Sequence, residues 1–352
     1  MKILSVYSFL FVSILLGFSA CEQSSGHLPE SNGGINQLLL VIEENLWEND
    51  SVGIVLKDLL LSDYPALPQS ENRFDVLQVE PGALTDLLNR QNTILWVAPL
   101  NENNLGSEVL TKQLNKVPQN KRNGVMFTFA DVWAKPQQVT YVYANSKEEL
   151  KNNIRQNAKN ILKRLADTEN AKALRAALAS GIDEKRTETF NKKFNIKLPI
   201  PNSFRTVVDQ GNALWLRQDI EEEVSNVFIF SSTYDEGAAF APGYGIAVRD
   251  VLGQKYVESD ISHAYMRSDT IVPFIIDKIE VNKKPTYEAR GLWRMTTDFM
   301  GGPFVSYTIN DSINQRVLVL DGFVYAPNGN KRNAMLKLES WLKSVQIPEK
   351  AN

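Results

Sequence analysis

The run Val317-Leu318-Val319-Leu320-Asp321-Gly322-Phe323-Val324 is the strongest constraint on how this chain can fold. It does not alternate, so a strand built from it is apolar on both faces and belongs in the middle of a sheet. Asp321 interrupts the run. A buried carboxylate is costly unless it is paired. Asp321 is therefore expected to pair with Arg290 or Arg294 from a neighbouring strand, or to sit at the strand's wet end. A ligand-facing acid beside Trp293 is the functional alternative. Arg290, Trp293, Arg294 and Asp321 are thus a candidate ligand cluster or structural ion-pair cluster.

A core must hold the fold together, because 352 residues contain one cysteine. That excludes a disulfide framework and a thiolate metal site. A hydrophobic content of 43% and a charged content of 22% suit a globular protein, and the length suits two domains. A net charge of −3 argues against nucleic acid as a partner.

The lone cysteine, Cys21, has a place of its own. Lys2 is followed by an almost wholly apolar segment over 3–18, then Ser19, Ala20 and Cys21. A charged start, an apolar core and a small-residue cleavage site make a secretory signal over 1–20. The apolar segment is short for a membrane span, which needs about 20 residues. Leu15-Leu16-Gly17-Phe18-Ser19-Ala20-Cys21 resembles the bacterial lipobox, departing at Phe18, where Leu is common. The resemblance makes Cys21 the lipidated N-terminus of the mature protein, which would reach a membrane through that lipid. Ordinary secretion with a free Cys21, or an uncleaved anchor helix, are the alternatives. Residues 21–34 are rich in Ser, Gly and Pro and form a tether. As a coil it spans about 20 Å on average and roughly 45 Å at full stretch. With no dense acidic run after Cys21, the periplasmic face is preferred to the cell surface.

Two lobes follow, in an α+β or mixed α/β arrangement. The first, 35–183, alternates strands (35–42, 74–79, 93–97) with helices (50–61, 83–90, 107–115). An antiparallel hairpin over 125–133 and 139–143 comes next, then one long helix over 147–180 capped by Asn145-Ser146. The second lobe, 184–348, is read as a mostly antiparallel sheet with helices on one face. Its strands are 204–209, 213–217, 227–233, 287–297, 304–309 and 315–326. Residues 235–245 read as a loop, 272–279 as a helix, Gly301-Gly302-Pro303 as a tight turn and 330–345 as a closing helix.

The catalytic inventory is thin, and no catalytic residue is assigned. His27 lies in the tether. His263 has no Gly-x-Ser-x-Gly elbow to support a triad. Neither a phosphate loop nor a dinucleotide fingerprint occurs, no loop has metal-ligand spacing, and no cofactor is implied. Lys147, Lys151, Arg155, Lys159 and Lys163 wind around the long helix as a solvated face or a contact for anionic headgroups. Asp50-Ser51-Val52, Asp269-Thr270-Ile271 and Asp311-Ser312-Ile313 share the O-glycan acceptor pattern of exported Bacteroidota proteins, which makes Ser51, Thr270 and Ser312 candidate modification sites. Each also has a local reading, as a helix cap or a turn.

The densest signature is C-terminal. It runs through Arg290-Gly291-Leu292-Trp293-Arg294-Met295, Met300-Gly301-Gly302-Pro303-Phe304, the 317–327 block and Lys331-Arg332. Here the chain resembles a family of uncharacterised Bacteroidota lipoproteins, defined only as a domain of unknown function. The resemblance implies an envelope lipoprotein and brings no catalytic residues. The resulting expectation is a lipid-anchored, non-enzymatic binding or scaffolding protein of the outer membrane with a protein partner in the envelope. A hydrolase of an envelope polymer, using His263 or a carboxylate pair, is the second reading. A carrier of an apolar ligand is the third.

Overall fold

The computed structural model describes residues 28–122, 124–259 and 263–349. The signal segment, Cys21 and His27 lie outside the described residues. Two sheets organise the rest into an α+β fold.

The first sheet is built by β1 (Gln37–Val41), β2 (Asp75–Val79), β3 (Thr93–Pro99), β4 (Met126–Ala130) and β5 (Gln138–Ala144), in the order β2-β1-β3-β5-β4. Four strands are parallel; β4 runs antiparallel to β5 at one edge. Every residue of β3 is buried, as the central strand of a sheet covered on both faces must be. Between β1 and β2 lie α1 (Glu44–Glu48) and α2 (Ser51–Leu60). The Asp50 carboxylate caps α2 by accepting from the Val52 N–H. Two short 3₁₀ turns, Pro81–Ala83 and Leu88–Arg90, stand where a helix over 83–90 is expected. After β3 comes α3 (Leu105–Leu114), capped by Asn104.

The long helix over 147–180 is two helices, α4 (Lys147–Gln156) and α5 (Ala158–Ala177). Asn157 breaks it: φ is −109° and ψ 14°, and its carboxamide donates to the Asn153 carbonyl. Asparagine competes in this way with the helix's own hydrogen bonds. Next is α6 (Glu184–Phe194), stopped by Asn195 in the left-handed region at φ 44°.

The second sheet holds eight strands. In sequence order β6 (Arg205–Gln210), β7 (Ala213–Ile220) and β8 (Glu223–Thr233) precede two helices, α7 (Glu236–Ala239) and α8 (Tyr244–Tyr256). Then come β9 (Met266–Asp269), β10 (Ile275–Val281), β11 (Lys284–Met295), β12 (Gly301–Asp311), β13 (Arg316–Tyr325) and the closing helix α9 (Arg332–Lys343). The order is β10-β11-β12-β13-β8-β7-β6, with β9 sharing the outer edge of β11. β13 is the middle strand, as its apolar faces require.

Three local expectations fail here. Residues 272–279 are no helix; β10 pairs along β11 from Ile275 opposite Arg290 to Val281 opposite Lys284. Its β-branched isoleucines favour a pleated surface. Gly301-Gly302-Pro303 is no turn but the start of β12. A Cβ at Gly302 would stand 2.0 Å from the Val324 carbonyl oxygen, so the glycine serves close strand approach. Pro303 precedes the first residue of β12 paired with β13, Phe304, and needs no donor on that side. Residues 235–245, expected as a loop, hold α7 and open α8, which packs on the face opposite α9.

Candidate functional site

Strand alternation decides which nominated residues can meet. Arg290 and Arg294 point to the sheet face covered by α9, whereas Trp293 and Asp321 point to the face covered by α8. The expected pairing of Asp321 with Arg290 or Arg294 is therefore wrong. Its partner is Arg249 of α8, whose Nε donates to Asp321 Oδ2 at 3.0 Å, with both side chains fully buried. The guanidinium also donates to Ser268 Oγ at 3.2 Å and lies 3.9 Å from the centre of the Phe304 ring. Burial pushes the Asp321 carboxyl up and outweighs the opposing pull of Arg249. Trp293 is buried, donates to the Val324 carbonyl at 3.1 Å and meets the Phe323 ring edge-on. This pair and its aromatic surround are core.

Arg290 stands in a second buried network, at the junction of the two sheets' layers. Its two Nη atoms hold both Glu339 oxygens, at 2.5 and 2.6 Å, while Nε donates to Glu288 at 2.8 Å. Tyr64, from the loop after α2, donates to Glu339 at 2.8 Å. Lys343 pairs with Glu288 at 2.7 Å. Burial alone would lower the Arg290 guanidinium, but Glu339 beside it holds it well above its ordinary value. Tyr64 is pushed up by burial and then by Glu339. A small cavity of about 160 Å³ remains beside Tyr64, Arg73 and Glu169. Nearby, Glu169 of α5 accepts from Asn36 N–H at 2.5 Å, Thr93 Oγ1 at 2.6 Å and Lys172 Nζ at 2.9 Å. Glu71 receives the first amides of α9, from Lys331 at 2.6 Å and Arg332 at 3.1 Å. These charges fasten the first sheet's surroundings to α9.

Arg294 is different. It is half-buried on the wall of an open groove of about 490 Å³, between the loop carrying Pro68 and the β11–β12 turn, residues 296–300. Phe299 at the tip of that turn is wholly exposed. The groove brings Arg294, Asp269 and Asp298 together with the exposed Phe299 and with Pro68 from the first half of the chain, a setting in which ligand sites concentrate.

A further feature lies at the carboxyl ends of β1 and β2, where α/β sheets place their ligands. Glu43 follows β1 and Glu80 follows β2. Burial and then the Glu80 charge push the Glu43 carboxyl up, while the Gly106 amide at the start of α3 pulls it down. Sequence reading did not single out this pair, because its members lie 37 positions apart in unremarkable surroundings.

The remaining nominated residues are scattered. His263 is exposed, at φ 64°, and among the described residues forms no hydrogen bond or ion pair. Ser51, Thr270 and Ser312 are all exposed. Three of the five basic residues on α4 and α5 are paired: Lys147 with Glu102, Lys151 with Glu148, and Lys163 with Asp167. Among the described residues, no group of three His, Cys, Asp or Glu side chains could hold a metal ion, and no helix is long and apolar enough to cross a membrane.

Fold and site together define an α+β protein with an open groove edged by residues of both halves. Two domains of unknown function are found in the chain: residues 31–177 match DUF8532, and residues 183–344 match DUF4837. No curated protein matches. Among solved structures, the chain is similar to a mutant form of protein Mog1, with 7% identity and a TM-score of 0.28, over 44% of this chain and 92% of that one. A likeness of that size carries no argument.

Proposed function

We propose that this is a cell-envelope lipoprotein, anchored through Cys21 to the periplasmic face of the outer membrane, whose body binds or scaffolds another envelope component without catalysis. The observation that carries the binding role is the groove beside Arg294: open, lined by that arginine together with Asp269 and Asp298, and edged by a wholly exposed Phe299. An exposed aromatic beside an arginine is the composition of a recognition surface. The signal-like segment ending at Cys21 supports the anchor. Crosslinking and pull-down from intact cells, comparing wild type with Cys21→Ala, test the reading. A specific partner that is captured by the wild type and lost with the anchor is expected. Capture of the same proteins by both forms would count against the anchored scaffold.

One observation favours a second reading, a hydrolase of an envelope polymer. The Glu43–Glu80 pair places a carboxyl of raised pKa beside a second carboxyl group, an arrangement that acid–base catalysis uses. Turnover of an envelope polysaccharide or peptide by wild type, abolished in Glu43→Gln, would establish that reading; no turnover by the wild type would remove it.

A further inference from the structure

The described chain begins at Leu28, and its first residues are fastened to the body. The Lys135 N–H donates to the Pro29 carbonyl at 2.9 Å. The amides of Ser31 and Asn32 donate to the carbonyls of Lys135 and Arg90, at 3.2 and 2.8 Å. The Asn32 carboxamide donates to the Leu87 carbonyl at 3.2 Å. Gln137 ties together the two loops involved. Its side chain donates to the carbonyls of Asn89 and Gln91, at 2.6 and 2.8 Å, and accepts from the Trp133 N–H at 2.9 Å. The tether expected over 21–34 is thereby cut to the seven steps from Cys21 to Leu28, which reach at most about 25 Å.

Around that exit the surface is apolar. Leu87 is 68% exposed and Leu28 is 42% exposed, and the exposed Pro29 and Pro136 border the same exit. Single exposed leucines are ordinary. These two differ because a lipid on Cys21 would hold them within reach of the headgroups, and a tether turns a weak contact into a populated one. The nearby charges do not favour an anionic surface. Exposed Arg90 and Lys135 are outnumbered by Glu30, Asp86 and Asp131, and Asp131 lies 4.0 Å from Lys135. The contact open to this surface is therefore apolar, not that of a basic patch on anionic lipid.

We propose that the surface around Leu28 and Leu87 rests in the headgroup layer of the membrane that holds the lipid of Cys21. The first half of the chain then lies against the bilayer, and α8, on the far face of the second sheet, does not touch it. The proposal rests on the anchor reading and adds the face that meets the lipid.

The test reconstitutes the full chain, with its lipid, in phosphatidylcholine vesicles that contain lipid bearing a headgroup nitroxide. Cys21 is the one cysteine of the chain, and its sulfur carries the lipid, so one added cysteine takes a fluorophore alone. Dyes at Leu28→Cys and Leu87→Cys should be quenched severalfold more strongly than a dye at Val251→Cys, which is 64% exposed on α8. Added salt should leave that difference unchanged, because salt screens only charge contacts. Leu87→Glu should bring a dye at Leu28→Cys down to the Val251 level while the protein still floats with the vesicles. These side chains are exposed, so each variant should melt like wild type. Equal quenching at all three positions would overturn the orientation. Quenching that appears only when phosphatidylglycerol replaces phosphatidylcholine would overturn the apolar contact. Quenching absent from vesicles, with a protein crosslinked through Leu87→Cys in intact cells, would give this surface to a protein partner instead. A chain that does not float with the vesicles would overturn the anchor, and this inference with it.

Discussion

Arg290 on β11 and Glu339 on α9 form a two-pronged buried ion pair, and Tyr64 from the first half of the chain completes it through Glu339 Oε1. A pair of this kind is not itself a large source of stability, because both charges lose their water. Breaking it is expensive, since one charge is left buried alone. Glu339→Gln or Arg290→Met should therefore lower stability by about 3–5 kcal/mol, read from denaturant midpoints. Arg290→Met combined with Glu339→Leu should recover much of that loss. Because Tyr64, Glu71 and Asp75 all contact α9 or the residues beginning it, both sheets should unfold in one transition seen equally by tryptophan fluorescence and far-ultraviolet dichroism.

The Arg249–Asp321 pair gives a prediction with a sign. Burial already raises the Asp321 carboxyl above its ordinary value against the pull of Arg249. In Arg249→Met that pull disappears and the folded-state value rises further. A carboxyl whose folded pKa exceeds its unfolded pKa binds more protons in the folded state, so stability falls as pH climbs from the unfolded value through the folded one. The deficit of Arg249→Met relative to wild type should then be small near pH 4 and grow towards pH 7. A deficit that is constant across this range would show that Asp321 does not titrate in the variant. Asp321→Asn should be destabilising at every pH, because it strands the Arg249 charge.

These two pairs also show what the sequence could and could not say. The 317–324 run announces a central strand, because apolarity on both faces leaves no other position, and a need for a partner follows from Asp321 alone. The partner's identity does not. It comes from α8, whose buried face is Gly245, Val248, Arg249, Leu252 and Gly253. Glycines and an arginine write no hydrophobic periodicity, so the helix is hidden. Gly245 is there because a Cβ would stand 2.6 Å from Thr308 Oγ1. The groove was half legible: Arg294 and Trp293 were nominated together, yet adjacent strand residues face opposite ways. The Glu43–Glu80 pair likewise depends on parallel strands meeting at their carboxyl ends.

Gly302 tests the reading of 301–303 as strand. A turn glycine tolerates alanine unless φ is positive, and Gly302 is not among the residues with positive φ. In the observed strand, alanine would drive its Cβ into the Val324 carbonyl and towards Trp293 Nε1. Gly302→Ala should cost about 1–3 kcal/mol or more, the range for overpacking, with a shift in tryptophan fluorescence because the Trp293 hydrogen bond to Val324 is displaced. A neutral Gly302→Ala would mean that β12 begins later.

Glu43 supplies the last prediction. Burial first, and Glu80 second, raise its carboxyl above the ordinary value. The same sign argument applies: the ionised form is disfavoured in the folded state, so Glu43 subtracts stability as pH rises through its ordinary value to the raised one. Glu43→Gln keeps an acceptor for the Gly106 amide and removes the repulsion with Glu80. It should melt like wild type near pH 4 and above wild type at pH 7. Glu80→Gln should differ, because Glu80 Oε1 accepts from the Glu44 amide at 2.6 Å and anchors the start of α1; part of any gain from relieved repulsion is offset there. A carboxyl retained at the carboxyl ends of parallel strands although it weakens the fold at neutral pH is the stability signature of a functional acid. If Glu43→Gln proves neutral at both pH values, the pair loses its claim as an acid–base site, and with it the hydrolase reading.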